Sequence, residues 1–313
     1  MPIRSHHVTL CSRVRWDGMD VLRISAAVTS RLPGRLGESV GPPVVSVVRM
    51  QGVISAQAAP VPRQVLNISS MEKVLERAFA PERLAAVALV INSPGGSPTQ
   101  SQLIGDRIRS LAAEKDVPVL AFCEDVAASG GYWLACAADE IYACSTSIVG
   151  SIGVISAGFG LDGLIERWGV SRRLHTAGGS KSRLDPFLPE RSEDVAWLTG
   201  LQEQLHDRFT GWVRERRGDR LATDTELFDG EVWLGERARE LGLVDGIGSA
   251  HDVLTGRFPD AEQRPVEQRR PLLARLGAGG SAAQAGLSGG IAGAGHELLS
   301  ALETRAAWAR YGL

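Results

Sequence analysis

An α/β fold built on parallel strands is the architecture this sequence predicts. Three observations carry it: apolar, β-branched runs of strand length alternate with segments of helical period, glycine-bearing turns close the strand-like runs, and the units recur as strand, turn, helix. Strands separated by helices imply right-handed crossovers, and therefore strands that run the same way. With 313 residues, 44% hydrophobic and 22% charged, the chain is long enough and apolar enough to bury a sizeable core.

Residues 1–43 mix Arg, Ser, Gly and Pro with little periodicity and read as a poorly ordered leader. Regular structure is expected from "PVVSVVRMQGVI", whose run from Val44 to Ile54 suits a buried strand. In "SSMEKVLERAFA", Ser69 stands three residues before Glu72 as a capping box, and Met71, Val74, Leu75, Ala78 and Phe79 share one helical face. Then follow a strand ending in a tight turn ("AAVALVINSPGG"), a helix ("QLIGDRIRSLAAEK"), a strand ("VPVLAFCEDV") and a short helix ("GGYWLACAA"). Two short strands in "EIYACSTSIVGSIGVISAG" lead to a helix around "LDGLIERWG" and the loop "HTAGGSKSRLDPFLPE". A long helix is predicted from Ser192 to Arg217, with Val195, Leu198, Leu201, Leu205, Phe209 and Trp212 as its apolar stripe. The segment "LFDGEVWLGERARELGLVDGIGS" completes a domain spanning 44–255. Residues 256–313 change character, with eight glycines between Gly277 and Gly295 and then an amphipathic ending, so they read as a Gly-rich linker and a C-terminal helix.

Composition excludes several classes. Lys and Arg number 34 against 36 acidic residues, which leaves no basic surface for nucleic acid. The four cysteines (Cys11, Cys123, Cys136, Cys144) form no C-x-x-C pair and the six histidines are scattered, so no metal site and no cofactor are expected; Cys123, Cys136 and Cys144 read as small buried hydrophobes. No run of 18 uncharged apolar residues occurs, and Arg4, Arg13, Arg15 and Arg23 with Asp17 and Asp20 interrupt any signal-peptide core. The expected location is the cytoplasm, with the C-terminal helix as a candidate peripheral membrane contact.

Chemistry gathers around Ser129. Three glycine-bearing turns, "NSPGG" (92–96), "ASGG" (128–131) and "GSIG" (150–153), close successive strands, and parallel strand ends on one side of a sheet converge on a common crevice. Acyl transfer needs a nucleophile, a base and donors for the oxyanion; Ser129 supplies a hydroxyl, and the backbone N–H groups of Gly96 and Gly130 supply donors that a carbonyl can approach closely. The flanks of Ser129 do not form G-x-S-x-G, because position 127 is alanine. No histidine follows before His175, so a lysine is the other candidate base, and Lys181 in "AGGSKS" has no acidic neighbour until Asp185. An ammonium with a reference pKa of ~10.4 would need burial to act as a base near neutrality, with Ser151 or another hydroxyl to orient it.

In these residues the chain resembles the signal peptide peptidase A family of serine peptidases, which includes protease IV and SohB-like proteins. The resemblance covers about Val44 to Val253 and rests on "INSPGG", "ASGGYWLA", "SIVGSIGVI", "AGGSKSRLDPF" and "LFDGEVWLGERARELGLVDGIG" in that order. It implies a ClpP/crotonase-like spiral of repeated ββα units and a Ser/Lys dyad. By the resemblance, Ser129 is the nucleophile, Lys181 the general base, Ser151 the hydroxyl that positions the lysine, and Gly96 and Gly130 the oxyanion hole. It further implies peptide or unfolded-protein substrates, cleavage through an acyl-enzyme, and a ring-shaped homo-oligomer whose subunits share active sites. No second copy of the glycine turns is present, as in short, single-repeat members. A non-catalytic peptide-binding scaffold and a crotonase-like acyl-thioester enzyme are the alternative functions these residues allow.

Overall fold

The computed structural model describes residues 41–56, 65–267 and 305–312. The stretch read as a leader, up to residue 40, and the one read as a Gly-rich linker lie outside them, as do the rest of residues 268–304. The elements in chain order are β1 (Val44–Gln51), β2 (Val53–Ile54), β3 (Val65–Leu66), α1 (Ile68–Ala78), β4 (Leu84–Ser93), α2 (Pro98–Lys115), β5 (Val119–Ala128) and α3 (Gly130–Ala135). They continue with β6 (Glu140–Ala143), β7 (Ile148–Gly150), α4 (Asp162–Arg167), α5 (Ser192–Arg217), β8 (Val232–Leu234), α6 (Gly235–Glu240), β9 (Gly246–Ile247), α7 (Ala250–Arg257) and β10 (Glu262–Val266).

The main sheet runs β10-β1-β4-β5-β6-β9, parallel at every step. Its central strands read as unbroken apolar runs because both faces are covered: β4 is buried from Ala86 to Ser93. One face packs against α1, α2, α3 and the C-terminal end of α5 through Met50, Leu75, Leu89, Ile104, Ile108 and Leu134; the other carries a smaller layer around Leu120, Phe122 and Leu254 of α7. Three consecutive units each run along a sheet strand, bend, and return through a helix: β1 with β2 into α1, β4 into α2, β5 into α3. Ile54 of β2 bridges to Gly96 in the next turn of the chain, which links successive units of the spiral.

Three expectations shift. The cap of α1 is Asn67, whose side chain accepts from the Ser70 N–H at 2.8 Å while Ser70 Oγ accepts from the Asn67 N–H at 3.2 Å. Glu72, assigned to a capping box with Ser69, instead meets Arg107 of α2 at 2.9 Å. The domain does not stop at 255: α7 continues to Arg257, and β10 pairs with β1 in the register Val44↔Glu262 to Val48↔Val266. That strand is legible only in three dimensions, because "EQRPV" is polar and holds a proline, a composition tolerated at a sheet edge. Finally, Cys123 and Cys136 are buried but Cys144 is exposed. No helix among the described residues is long and apolar enough to cross a membrane.

Candidate active site

The sheet register brings three turns together. Ser93 of β4 lies opposite Ala127 of β5, and Ala128 of β5 lies opposite Gly150 of β7, so the residues after β4, β5 and β7 leave the sheet side by side. Ser129 and Ser151 are both in the positive-φ region, at 53° and 52°, a backbone state that costs roughly 1–3 kcal/mol for a residue with a side chain and persists only where its surroundings impose it. For Ser129 the surroundings are visible. Its N–H donates to Gly150 O at 2.8 Å and its carbonyl accepts from Trp133 N at 3.0 Å. A Cβ on Gly95 would lie 2.7 Å from Ser129 Cβ, and one on Gly131 would lie 2.5 Å from Ser93 O, so both glycines are required by close approach.

Ser129 therefore occupies a strand-to-helix elbow, with φ 53° and ψ −122°, although the G-x-S-x-G spacing is absent. Helix-preceding serines ordinarily turn their hydroxyl onto the helix N-terminus. This one makes no such bond and leaves Oγ free for other chemistry.

Gly96 and Gly130 flank the serine. A Cβ on Gly130 would stand 3.4 Å from the Gly96 nitrogen and would collide with Ser101 Oγ, which is held by the Ser97 carbonyl at 2.9 Å. Neither the Gly96 nor the Gly130 N–H donates to an acceptor among the described residues. Two free amide donors thus lie next to one another and beside Ser129. Ser151 is fixed from the opposite side, where its N–H donates to Glu231 O at 2.7 Å; β8 pairs antiparallel with β7, and the Trp233 ring covers Gly150 so closely that a Cβ there would lie 2.8 Å from it.

Lys181 shares no hydrogen bond with Ser129, Ser151, Gly96 or Gly130. It is exposed on an irregular loop, its N–H bonds Gly178 O at 3.2 Å, and its side chain makes no hydrogen bond or ion pair among the described residues. The loop belongs to an arm between β7 and the middle of α5 that shows an apolar exterior, with Phe159 78% and Trp168 77% exposed and Ile155, Leu164, Val170, Leu201 and Leu205 also outward. A cavity of about 670 Å³ opens in this arm between residues 156–162, residues 182–191 and the start of α5.

Beneath the serine, α5 grips the end of α3. Trp212 Nε1 donates to Trp133 O at 3.1 Å, and Arg216 donates to Cys136 O at 2.9 Å and Ala138 O at 3.0 Å. Arg217, 2% exposed, forms a bidentate pair with Asp245 at 2.7 and 3.0 Å and also donates to Gly242 O. Burial pushes the Asp245 carboxyl up, but the hydrogen bonds and charge of Arg217 outweigh it and hold that carboxyl below its ordinary value. Burial also pushes the Cys136 thiol up to about 12, which makes it an unreactive packing group. None of these α5 contacts was foreseeable from the sequence, since they join residues distant along the chain; Gly95 and Gly131 had a signal, the doubled glycine in each turn.

A strained serine at the end of a parallel strand, with free glycine amides beside it, marks an α/β protein that sets a hydroxyl at a strand-to-helix turn. The chain belongs to peptidase family S49, whose sequence pattern matches residues 112–262. A Synechocystis sp. protein that carries a protease name is 33% identical over 210 residues, covering 65% of this chain and 75% of that one. Protease 4 of Haemophilus influenzae is 32% identical over 230 residues, 72% of this chain and 36% of its own. A Brucella melitensis protein named as a Na(+)/H(+) antiporter is 45% identical over 275 residues, which is 86% of this chain; the chain spans only 37% of that relative's length.

Proposed function

We propose that this chain is a serine endopeptidase in which Ser129 attacks the scissile carbonyl, Lys181 takes its proton, Ser151 orients the lysine, and the Gly96 and Gly130 N–H groups receive the oxyanion. The observation that carries the reading is the Ser129 elbow: a hydroxyl freed from capping, held in a strained backbone and set beside two amides without acceptors. Attack forms the Oγ–C bond, the tetrahedral oxyanion collapses onto an acyl-enzyme, and the leaving amine departs with the proton held by the lysine. Water then repeats the sequence and frees the serine. Loss of one oxyanion donor is expected to cost roughly 3 kcal/mol of transition-state stabilisation.

The lysine comes from a second copy of the chain. Exposure of Lys181 on an arm with an apolar exterior supports this reading, because docking that arm on a neighbour would bury both the side chain and the patch. A closed ring satisfies every arm once. The substrates in this account are unstructured or signal-peptide-like peptides, which can extend along the turn.

Casein hydrolysis by wild type, Ser129→Ala and Lys181→Ala tests the assignment. Cleavage by wild type and none by either folded variant is expected. Full activity in Ser129→Ala rules out the nucleophile; an inert but intact wild type moves the reading to a peptide-binding scaffold, and binding of CoA to an acyl-thioester enzyme.

A further inference from the structure

The segment that carries Lys181 has no sheet or helix to hold it: residues 170–191 are irregular throughout. Two aspartates with buried carboxylates stand in place of a backbone ladder. Asp194, in the first turn of α5 with its side chain 4% exposed, takes two hydrogen bonds from Arg191 at 2.9 Å each and pairs with Arg183 at 3.4 Å. Arg183 is two residues past the lysine, and its guanidinium lies 4.9 Å over the Trp197 ring, so one cation is held by both a carboxylate and an aromatic face of α5. Asp185, with its side chain 7% exposed, accepts from Phe187 N at 3.0 Å and from Arg172 at 2.9 and 3.2 Å. The loop is tied a third time where Leu161 N–H donates to Pro186 O at 2.6 Å.

Between Arg183 and Asp185, Leu184 sits at φ 57°, a left-handed conformation that a leucine adopts only under constraint. Ion pairs at an open surface contribute little, but the Asp194 side chain is withdrawn from water and takes both prongs of the Arg191 fork with Arg183 beside it, while Arg172 sets two nitrogens on one oxygen of Asp185, contacts that fix position better than a lone surface pair. The exposed lysine is therefore carried on a loop tethered at both Arg183 and Asp185.

We propose that Asp194 and Asp185, acting through Arg183 and Arg172, are positioning residues for Lys181. They set the amine in place before a second chain arrives. This rests on the reading of Lys181 as the base, whose service to Ser129 requires placement within hydrogen-bond reach.

The test uses the full chain with Asp194→Asn, and with Arg183→Met, which leaves the Arg191–Asp194 pair intact should the first variant fold poorly. Amide hydrogen exchange over residues 178–184 is expected to quicken by about tenfold or more, while residues 129–135 and the sedimentation of the assembly stay as in wild type. On casein, kcat is expected to fall by about one to two orders of magnitude with KM within about twofold, since displacement of a reacting group by about an ångström has effects of this size. Unchanged exchange over 178–184 overturns the clamp. Faster exchange with wild-type kcat overturns the positioning role. Exchange is measured on a chain whether or not it cleaves, so failure of the peptidase reading, seen as an inert wild type, is distinguished from failure of the clamp.

Discussion

Along α5, Phe209, Val213 and Arg217 are packed into the core, whereas Val195, Leu201 and Leu205 earlier on the same helix face outward. The two ends are alike in sequence pattern and opposite in environment. At the C-terminal end Phe209 stacks on Trp133 with ring centroids 5.0 Å apart, and Trp212 and Arg216 hold carbonyls at and just past the end of the short helix that follows Ser129. At the N-terminal end Asp194 and Trp197 hold the lysine loop. One helix thus joins the turn of the proposed nucleophile to the loop of the proposed base, and the contrast teaches that an apolar stripe is packed as core along one part of a helix and left exposed along another.

The contrast is broken most forcefully by charge removal at the buried end. Asp245→Ala leaves Arg217 buried without its partner and is expected to destabilise the monomer by about 3–5 kcal/mol, read as a lower midpoint in urea. Phe209→Ala, which empties the space beside Trp133, should cost about 3 kcal/mol or more by the same measurement. At the exposed end Leu201→Asp with Leu205→Asp should leave monomer stability within about 0.5 kcal/mol per site, yet abolish assembly by sedimentation and casein cleavage with it.

Acid gives the smallest effect. The Asp245 carboxyl is held below its ordinary value, so the stability it contributes is complete above the unfolded carboxylate pKa of ~3.9 and is lost as pH falls through the lower folded value. Stability of wild type should decline below about pH 4 more steeply than that of Asp245→Asn.

Much of the fold was legible because parallel strands covered on both faces must be apolar throughout: the runs in β4 and β5 could be little else. The paired glycines were legible too, since close approach at Gly95, Gly96, Gly130 and Gly131 leaves no room for a side chain. The cap at Asn67 was missed because Ser69 and Glu72 matched a local pattern that Glu72's pairing with Arg107 overrides. β10 was missed because an edge strand need not be apolar, and the exposure of Leu201 because helical period reports a face and not what covers it.

The most direct test of a site shared between chains is to mix Ser129→Ala with Lys181→Ala under conditions that exchange subunits, and to assay casein cleavage. The account predicts that two inactive proteins recover about a quarter of wild-type activity, because one interface in four of a randomly mixed symmetric assembly joins an intact serine to an intact lysine. A mixture that co-assembles and stays inactive contradicts it.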